Sequence, residues 1–474
     1  MAQNGKKSIF KLPPVLTLLF MMMIFCAIIS WIVPAGEFDT EKVGRMTKVV
    51  AGTYHAVPAT PVGPWQLLKA LPEGFYNAIK LMTTVLMISG CVAVLTKTGV
   101  FKATFDSLAK KKLNVYVLVA VMMIFMSIAG ATAVIANSSV AFIPIGVILA
   151  AGLGYDKFTG FLIIFIGCYA GFNVGWANIA TIGTAQPLAE LPIYSGFGAR
   201  FVIYVINMIL CYWFTIRYMK TIKGDYTKSL NYDGTMLESQ VLGIGALDAN
   251  ASTEETVKLT KGHIFSLIGL VIAFGMQLLG SIKLGWGYYE QSATFFALGV
   301  ICGFANGMDL EELENTFLSG CKSSLGAAMV IGFANGISVV LKQGNILNTI
   351  VYWLSIPLSH MGAVLGASFM FIANTIVNFF IGSGSGQAAT VMPLMVPVAD
   401  LTGITRQVAV QAFQFGDGFS NCLFPTGGTL MACLALADVD WTRYVKWFMP
   451  LFICQSVLAF ASLTVLQIMG WTGV

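Results

Sequence analysis

Two stretches of this chain, residues 113 to 152 and 361 to 402, stay apolar over about 40 residues, twice what one bilayer crossing needs, and each is broken in its middle by glycine, serine or asparagine. Exposed backbone at such a break is tolerated at membrane depth only where it is buried in protein or lines a watery cavity. The pattern therefore predicts two re-entrant helical hairpins, in which the chain enters partway, turns at a polar tip and leaves on the side it came from. Each hairpin is followed by a second interrupted stretch, 159 to 188 with a break near 171 to 178, and 407 to 437 with a break near 416 to 426. Asn374 to Asp438 thus reads as a second copy of Ser127 to Leu191. Paired interruptions at matching places in two halves point to the binding site of a secondary transporter.

Composition agrees: at 57% hydrophobic and 10% charged over 474 residues, too few charges remain to cover a soluble globule. The expected class is an all-α polytopic membrane protein built of inverted repeats, each with a re-entrant hairpin and a broken helix. The net charge of +5 gathers mostly on one side, the mark of membrane orientation and not of nucleic-acid binding. Nine cysteines show no CxxC spacing and no companion histidine cluster, so neither a disulfide framework nor a metal centre is implied. HExxH, Walker and GxSxG motifs are missing, and the polar stretch 220 to 261 is too short for a nucleotide-binding domain. No enzyme and no cofactor are expected; the driving force is a gradient of sodium or protons, or exchange.

The remaining apolar spans are 15 to 34, 77 to 97, 198 to 217, 263 to 281, 291 to 307, 317 to 341 and 444 to 468. They divide the chain into first scaffold helices (1–112), first transport elements (113–197), a closing helix (198–219), a cytoplasmic linker (220–262), an extra helix with the second scaffold (263–358), second transport elements (359–438) and a last helix (439–474). The extra helix starts the second half on the opposite side, which inverts the repeats. Val100 to Lys112 and Ile346 to Leu358 read as interfacial amphipathic segments. With the amino terminus inside a bacterial inner membrane, Lys6, Lys7, Lys11, Lys110 to Lys112, Arg443 and Lys446 fall on the inner side, and Lys42, Arg45, Lys48, Arg200 and Arg406 on the outer. Asp156, Glu190 and Arg406 are expected as solvated charges near loop ends.

Asp417 is the most informative residue, because an acid between Gly416 and Gly418 in an apolar span needs a partner or a function. Three roles fit: binding an ammonium group, holding a coupling cation, or carrying a proton. The plain alternative is a cap for backbone left open by the break. Ser138, Ser139, Ser383 and Ser385 fall where half-helices would begin, so hydroxyls and free N–H groups would converge on a carboxylate. Asn173, Asn178, Thr181, Asn421 and Thr426 would supply oxygens opposite them, and unwound carbonyls would suit sodium. Asn173, Gly175, Thr184 and Gly418 are the candidates for the coupling cation.

Val33-Pro34-Ala35-Gly36-Glu37-Phe38, Gly52-Thr53-Tyr54-His55, Asn378 to Ala388 and Gln414 to Asn421 together resemble the YfcC group of the anaerobic four-carbon dicarboxylate carrier family, over nearly the whole chain. The resemblance implies the fold of the ion-transporter superfamily: a homodimer whose scaffold carries an elevator-like transport domain with two hairpins and two broken helices. It places the hairpin tips at Asn137 to Ser139 and Ser383 to Gln387, and the broken-helix turns at Gly175 to Thr181 and Gly418 to Thr426. The family name implies dicarboxylates, whereas members similar to this chain are labelled basic amino acid antiporters. An Arg or Lys near the tips would suit a dicarboxylate, and neither break holds one, while Asp417 is there to meet an amine. A passive channel or a membrane sensor is the reading from another class.

Overall fold

The computed structural model describes residues 14–43, 46–50, 52–110, 114–133, 135–242 and 259–473. The amino-terminal lysines, Arg45, Lys111, Lys112 and residues 243–258 of the expected linker lie outside the described residues. Six helices are long and apolar enough to cross a membrane among them: α1 (Val15–Ile32), α2 (Pro64–Lys97), α9 (Phe197–Gly224), α13 (Leu310–Gln343), α15 (Ala363–Phe380) and α19 (Trp441–Ile468).

The long helices α2 and α13 pack against each other, with α1 on α13 and with α12 (Tyr288–Ala305) on α2. Both exceed the expected spans at their amino ends. Gly63 N–H donates to Gln66 Oε1 at 3.1 Å ahead of Pro64, and Asp309 accepts from Glu312 N at 2.7 Å, so each helix starts at a cap, with polar residues interspersed (Gln66, Lys69 and Glu73 in α2; Glu311, Glu312 and Glu314 in α13) before its continuous apolar run begins. Glu311 and Glu312, just after Asp309, occupy the first turn of α13, where acids suit the helix dipole. The segments read as interfacial are the helices α3 (Val100–Lys110) and α14 (Leu347–Leu358).

Two short antiparallel ladders, β1 (Gly36–Glu37) with β4 (His55–Ala56) and β2 (Thr40–Val43) with β3 (Met46–Val49), form the loop between α1 and α2. Its motif residues clamp α14. Tyr54 stacks on Tyr352 at 4.1 Å and bonds Thr349 Oγ1 at 3.0 Å, while Thr349 donates to Pro34 O at 2.7 Å.

The same order of elements occurs in both halves. First come α4 (Val115–Ala131), turns at 132–133 and 135–136, a 3₁₀ segment (Asn137–Phe142) and α5 (Ile143–Gly152). A helix follows, built of α6 (Lys157–Phe161), a π-helical turn (Leu162–Ile166) and α7 (Gly167–Phe172); an irregular stretch then leads to α8 (Ile182–Leu188). The second half has α15, a turn at 381–383, α16 (Gly384–Thr402), α17 (Arg406–Asn421), a second irregular stretch and α18 (Gly428–Leu436). In each half the first hairpin arm packs on the broken helix, α4 on α7 and α15 on α17.

The linker is shorter than its composition suggests. Helix α9 runs on to Gly224, and residues 225–242 are held against the broken helices before α11 (Lys261–Leu284) begins. Asp156, expected as a solvated charge, is buried: it caps α6 by accepting from Thr159 N at 2.8 Å, and takes further bonds from Ser229 at 2.5 Å and from Tyr218. Arg406 stays near the surface but in ion pairs with Glu190 at 2.6 Å and Asp400 at 2.8 Å.

Candidate functional site

The second broken helix departs from the expected boundary. Gly416, Asp417 and Gly418 lie within α17, which stays helical to Asn421, and the irregular stretch runs from Cys422 to Gly427 around Pro425. Proline cannot continue the backbone ladder. The two glycines serve close approach instead: a Cβ on Gly418 would lie 2.6 Å from both Cα and O of Asn173. At that point α17 crosses the first break backbone to backbone.

Asp417 is wholly buried, and neither carboxylate oxygen has a hydrogen-bond partner among the described residues. Asn421, one turn on, is the polar side chain nearest to pairing with it, though outside full hydrogen-bond geometry. The start of α16 faces the acid, since a Cβ on Gly384 would sit 3.1 Å from Asp417 Oδ2 and 2.5 Å from Thr181 Cγ2. One contact thus joins the second hairpin tip, the second broken helix and the first break. Thr181 is fixed there by donating to Gln414 Oε1 at 2.5 Å, and Asn178 Oδ1 holds its amide at 3.0 Å. Gln414 in turn donates to Phe172 O at 2.8 Å and packs against Gly175, whose φ of 71° turns the chain.

Buried polar atoms are normally paired, yet around this contact several are not. Asn173 Oδ1, Asn378 Oδ1, Gln387 Oε1 and both Asp417 oxygens lack partners, as does Asn178 Nδ2. The amide orientations are set by their other hydrogen bonds: Asn378 Nδ2 donates to Asp417 O at 3.1 Å and Ser420 Oγ at 2.8 Å, and Gln387 Nε2 to Asn374 O at 2.9 Å. Backbone carbonyls only accept, so the oxygens of Asn378 and Gln387 must point away from them. The unmet groups are therefore mostly acceptors, which suits a cation or an ammonium group.

Other expected site residues occupy different places. Ser383 caps α16, its Oγ accepting from Gly386 N at 3.4 Å, and is exposed, as is Ser385. Ser138 and Ser139 are buried at the first tip, where the 3₁₀ segment packs on α18 and α2, and Asn137 is exposed near Tyr288. The contacts cross over between halves: the first tip meets α18 and the second tip's helix α16 meets α8. Thr184, in α8, donates back to Ala180 O in the first break at 3.0 Å, while Asn421 and Thr426 are half-buried at the second break.

Over residues 12–468 the sequence matches the family described as C4-dicarboxylate anaerobic carrier, DcuC. The chain belongs to this carrier family. It is 30% identical, over 97% of both chains, to a protein of Escherichia coli (strain K12) named "Putative basic amino acid antiporter YfcC". It is 27% identical, again over 97% of both, to a Haemophilus influenzae protein described as uncharacterized. Among solved structures it is similar to MtrF of Neisseria gonorrhoeae, described among antimetabolite efflux pumps (17% identity, 96% of each chain, TM-score 0.41). It is also similar to the YdaH transporter of Alcanivorax borkumensis (14% identity, 97% of this chain and 100% of that one, TM-score 0.40).

In this carrier the sequence reading overlooked a row of glutamines. Gln407, Gln411 and Gln414 lie at i, i+4 and i+7 on one face of α17, all buried and all aimed at the first half. Gln411 donates to Val174 O at 3.2 Å in the first break, and Gln407 Oε1 accepts from Gln186 at 3.2 Å. Arg200, expected as an outer charge, is instead wholly buried among them: its guanidinium donates to Gln411 and Gln407 at 2.7 Å each and to Ser195 O at 2.6 Å, 5.2 Å from the Trp471 ring. The periodic amides were the signal that could have found it.

Proposed function

We propose that this carrier is a secondary active transporter of small carboxylated metabolites, working by exchange or by sodium- or proton-coupled symport, with amino acids, basic ones such as arginine and ornithine included, as its substrates. The observation that carries the reading is the acceptor-rich, unpaired cluster around Asp417, against which the start of α16 is packed. In this scheme Asp417 receives the amino group or the coupling cation, and the free N–H groups and hydroxyls at Ser383 and Ser385 receive the carboxylate. Asn173, Gly175 and Gly418 are assigned to the cation because they meet where the two broken helices cross. The relative named as a basic amino acid antiporter supports the same substrate class.

The scheme further takes the two halves as inverted repeats, the hairpins as re-entrant, and the hairpin-and-broken-helix unit as an elevator sliding on a dimeric scaffold in the bacterial inner membrane, with the amino terminus inside. Support comes from the matched order of elements and from the crossed contacts of each tip with the other half's broken helix. A second reading has a specific basis in the family description, namely a sodium- or proton-coupled four-carbon dicarboxylate transporter, in which bound sodium neutralises Asp417.

Counterflow in proteoliposomes decides between them, with labelled arginine, ornithine, neutral amino acids and succinate, each with and without a sodium gradient. Arginine or ornithine exchange is expected. Uptake of succinate and of no amino acid would end the amino-acid reading.

A further inference from the structure

Where α9 ends and α19 begins, three adjoining cavities of about 600, 300 and 370 Å³ form one basic groove. Arg443, Lys446 and Trp447 line the first, Arg217, Lys228, Lys446 and Trp447 the second, and Arg217, Lys220 and Trp213 the third. This is neither the Asp417 site nor any of the elements assigned to substrate.

The groove carries more positive charge than its acids offset. Lys228 pairs with Asp225 at 3.4 Å, and Asp233 Oδ1 is taken up by Thr235 N at 2.8 Å and Met236 N at 3.1 Å, which hold its carboxyl below the usual range. Arg217, Lys220, Arg443 and Lys446 form no ion pair with a described residue. Arg217 lies over the Trp213 ring at 5.4 Å and Lys220 over Tyr116 at 5.5 Å, while Arg443 donates to the carbonyls of Leu230 at 3.2 Å and Tyr232 at 2.7 Å. Such an arrangement recruits an anion.

The surroundings say which kind. Two turns up α9 from Arg217, Ile209 is 61% exposed; two turns along α19 from Lys446, Ile453 is 55% exposed. At 1.5 Å per residue these exposed apolar side chains lie about 10–12 Å along the helices from the cations, past a headgroup layer about 5–7.5 Å deep and so at the level of the acyl chains of a lipid whose phosphate sits in the groove. Tryptophans at the boundary are typical of the headgroup level, and basic pockets between membrane helices bind anionic headgroups.

We propose that this groove binds the phosphodiester headgroup of an anionic phospholipid, with the acyl chains lying along the exposed faces of α9 and α19. Its floor gives the lipid a lever. Residues 229–231 tie both broken helices together: Ser229 bonds Asp156, Asn231 Oδ1 accepts from Phe158 N at 2.9 Å, and Asn231 Nδ2 donates to Ala437 O at 2.7 Å. A seated headgroup steadies the strap that joins α6 to the end of α18.

The test uses the full chain in neutral detergent, titrated with phosphatidylglycerol, with phosphatidylcholine and with soluble glycerol 3-phosphate, reading thermal unfolding and, by native mass spectrometry, retained lipid. Phosphatidylglycerol is expected to raise the midpoint and to be retained, with phosphatidylcholine and glycerol phosphate doing neither. Arg217→Gln with Lys446→Gln should weaken apparent affinity about 30-fold, two cations at an anionic headgroup, and Arg217→Lys with Lys446→Arg should keep it. Lys446→Gln alone, at an exposed side chain, guards against misfolding of the double variant and should lower retention too. Unchanged retention in the neutralised variants, or an equal shift from glycerol 3-phosphate alone, would overturn the proposal.

Discussion

Replacing Asp417 by asparagine gives opposite signs in two measurements. The carboxylate is fully buried with both oxygens unpaired, so the ligand-free protein carries an uncompensated polar group that an amide relieves or leaves unchanged. Binding goes the other way. Removing one partner of a buried hydrogen-bonded charge pair costs about 2–5 kcal/mol, which is about 30-fold to several thousand-fold in affinity at 1.4 kcal/mol per decade. Asp417→Asn should therefore show counterflow below detection at substrate levels that saturate the parent protein, while its unfolding midpoint without substrate at pH 8 is equal or higher. Substrate-induced stabilisation should vanish with it. If the variant transports normally and unfolds at a lower temperature, Asp417 is a structural cap and the substrate scheme fails.

Gly418→Ala forces a methyl against backbone atoms of Asn173 at 2.6 Å that no rotamer change can clear, so a loss of about 1–3 kcal/mol is expected in denaturant unfolding; an unchanged midpoint would refute the crossing. Gly384→Ala presses on Thr181 and the Asp417 carboxylate, and should raise the apparent KM of counterflow at least tenfold with normal insertion; parent-like kinetics would separate the tip from the acid. Arg200→Ala strands the carbonyl oxygen of Gln411 and leaves that of Gln407 with Gln186 alone, and should destabilise by about 1–3 kcal/mol, read as loss of monodisperse protein on mild heating. Asn231→Ala removes the ties to Phe158 and Ala437 and should cost about 1–3 kcal/mol in the same assay; no change would remove the strap from the account.

The interruptions between α4 and α5 and between α15 and α16, and the first break, were legible because composition marks them: an apolar run too long for one crossing has to be divided, and its polar residues show where. Glycine beside Asp417 was ambiguous, since it licenses either a break or a close approach, and only the partner backbone of Asn173 shows which. Pro425 was the better sign of where α17 stops. The starts of α2 and α13 were missed because charged and amide residues in their first turns (Gln66, Lys69 and Glu73; Glu311, Glu312 and Glu314) interrupt the apolar run without ending the helix. Asp156 and Arg200 could not be placed from neighbours in sequence, as their partners Tyr218, Ser229, Gln407 and Gln411 come from distant segments.

The crossing of Gly418 over Asn173 leaves no side chain between the two segments that could swell, shrink or rotate to adjust their spacing. Carbonyl oxygens hung on either strand are consequently held at a set gauge, as rails are by sleepers. On the proposed scheme, a coupling cation lodged among them would be discriminated by its radius more than by its charge, and a swap of that ion would be felt by the acid one residue away.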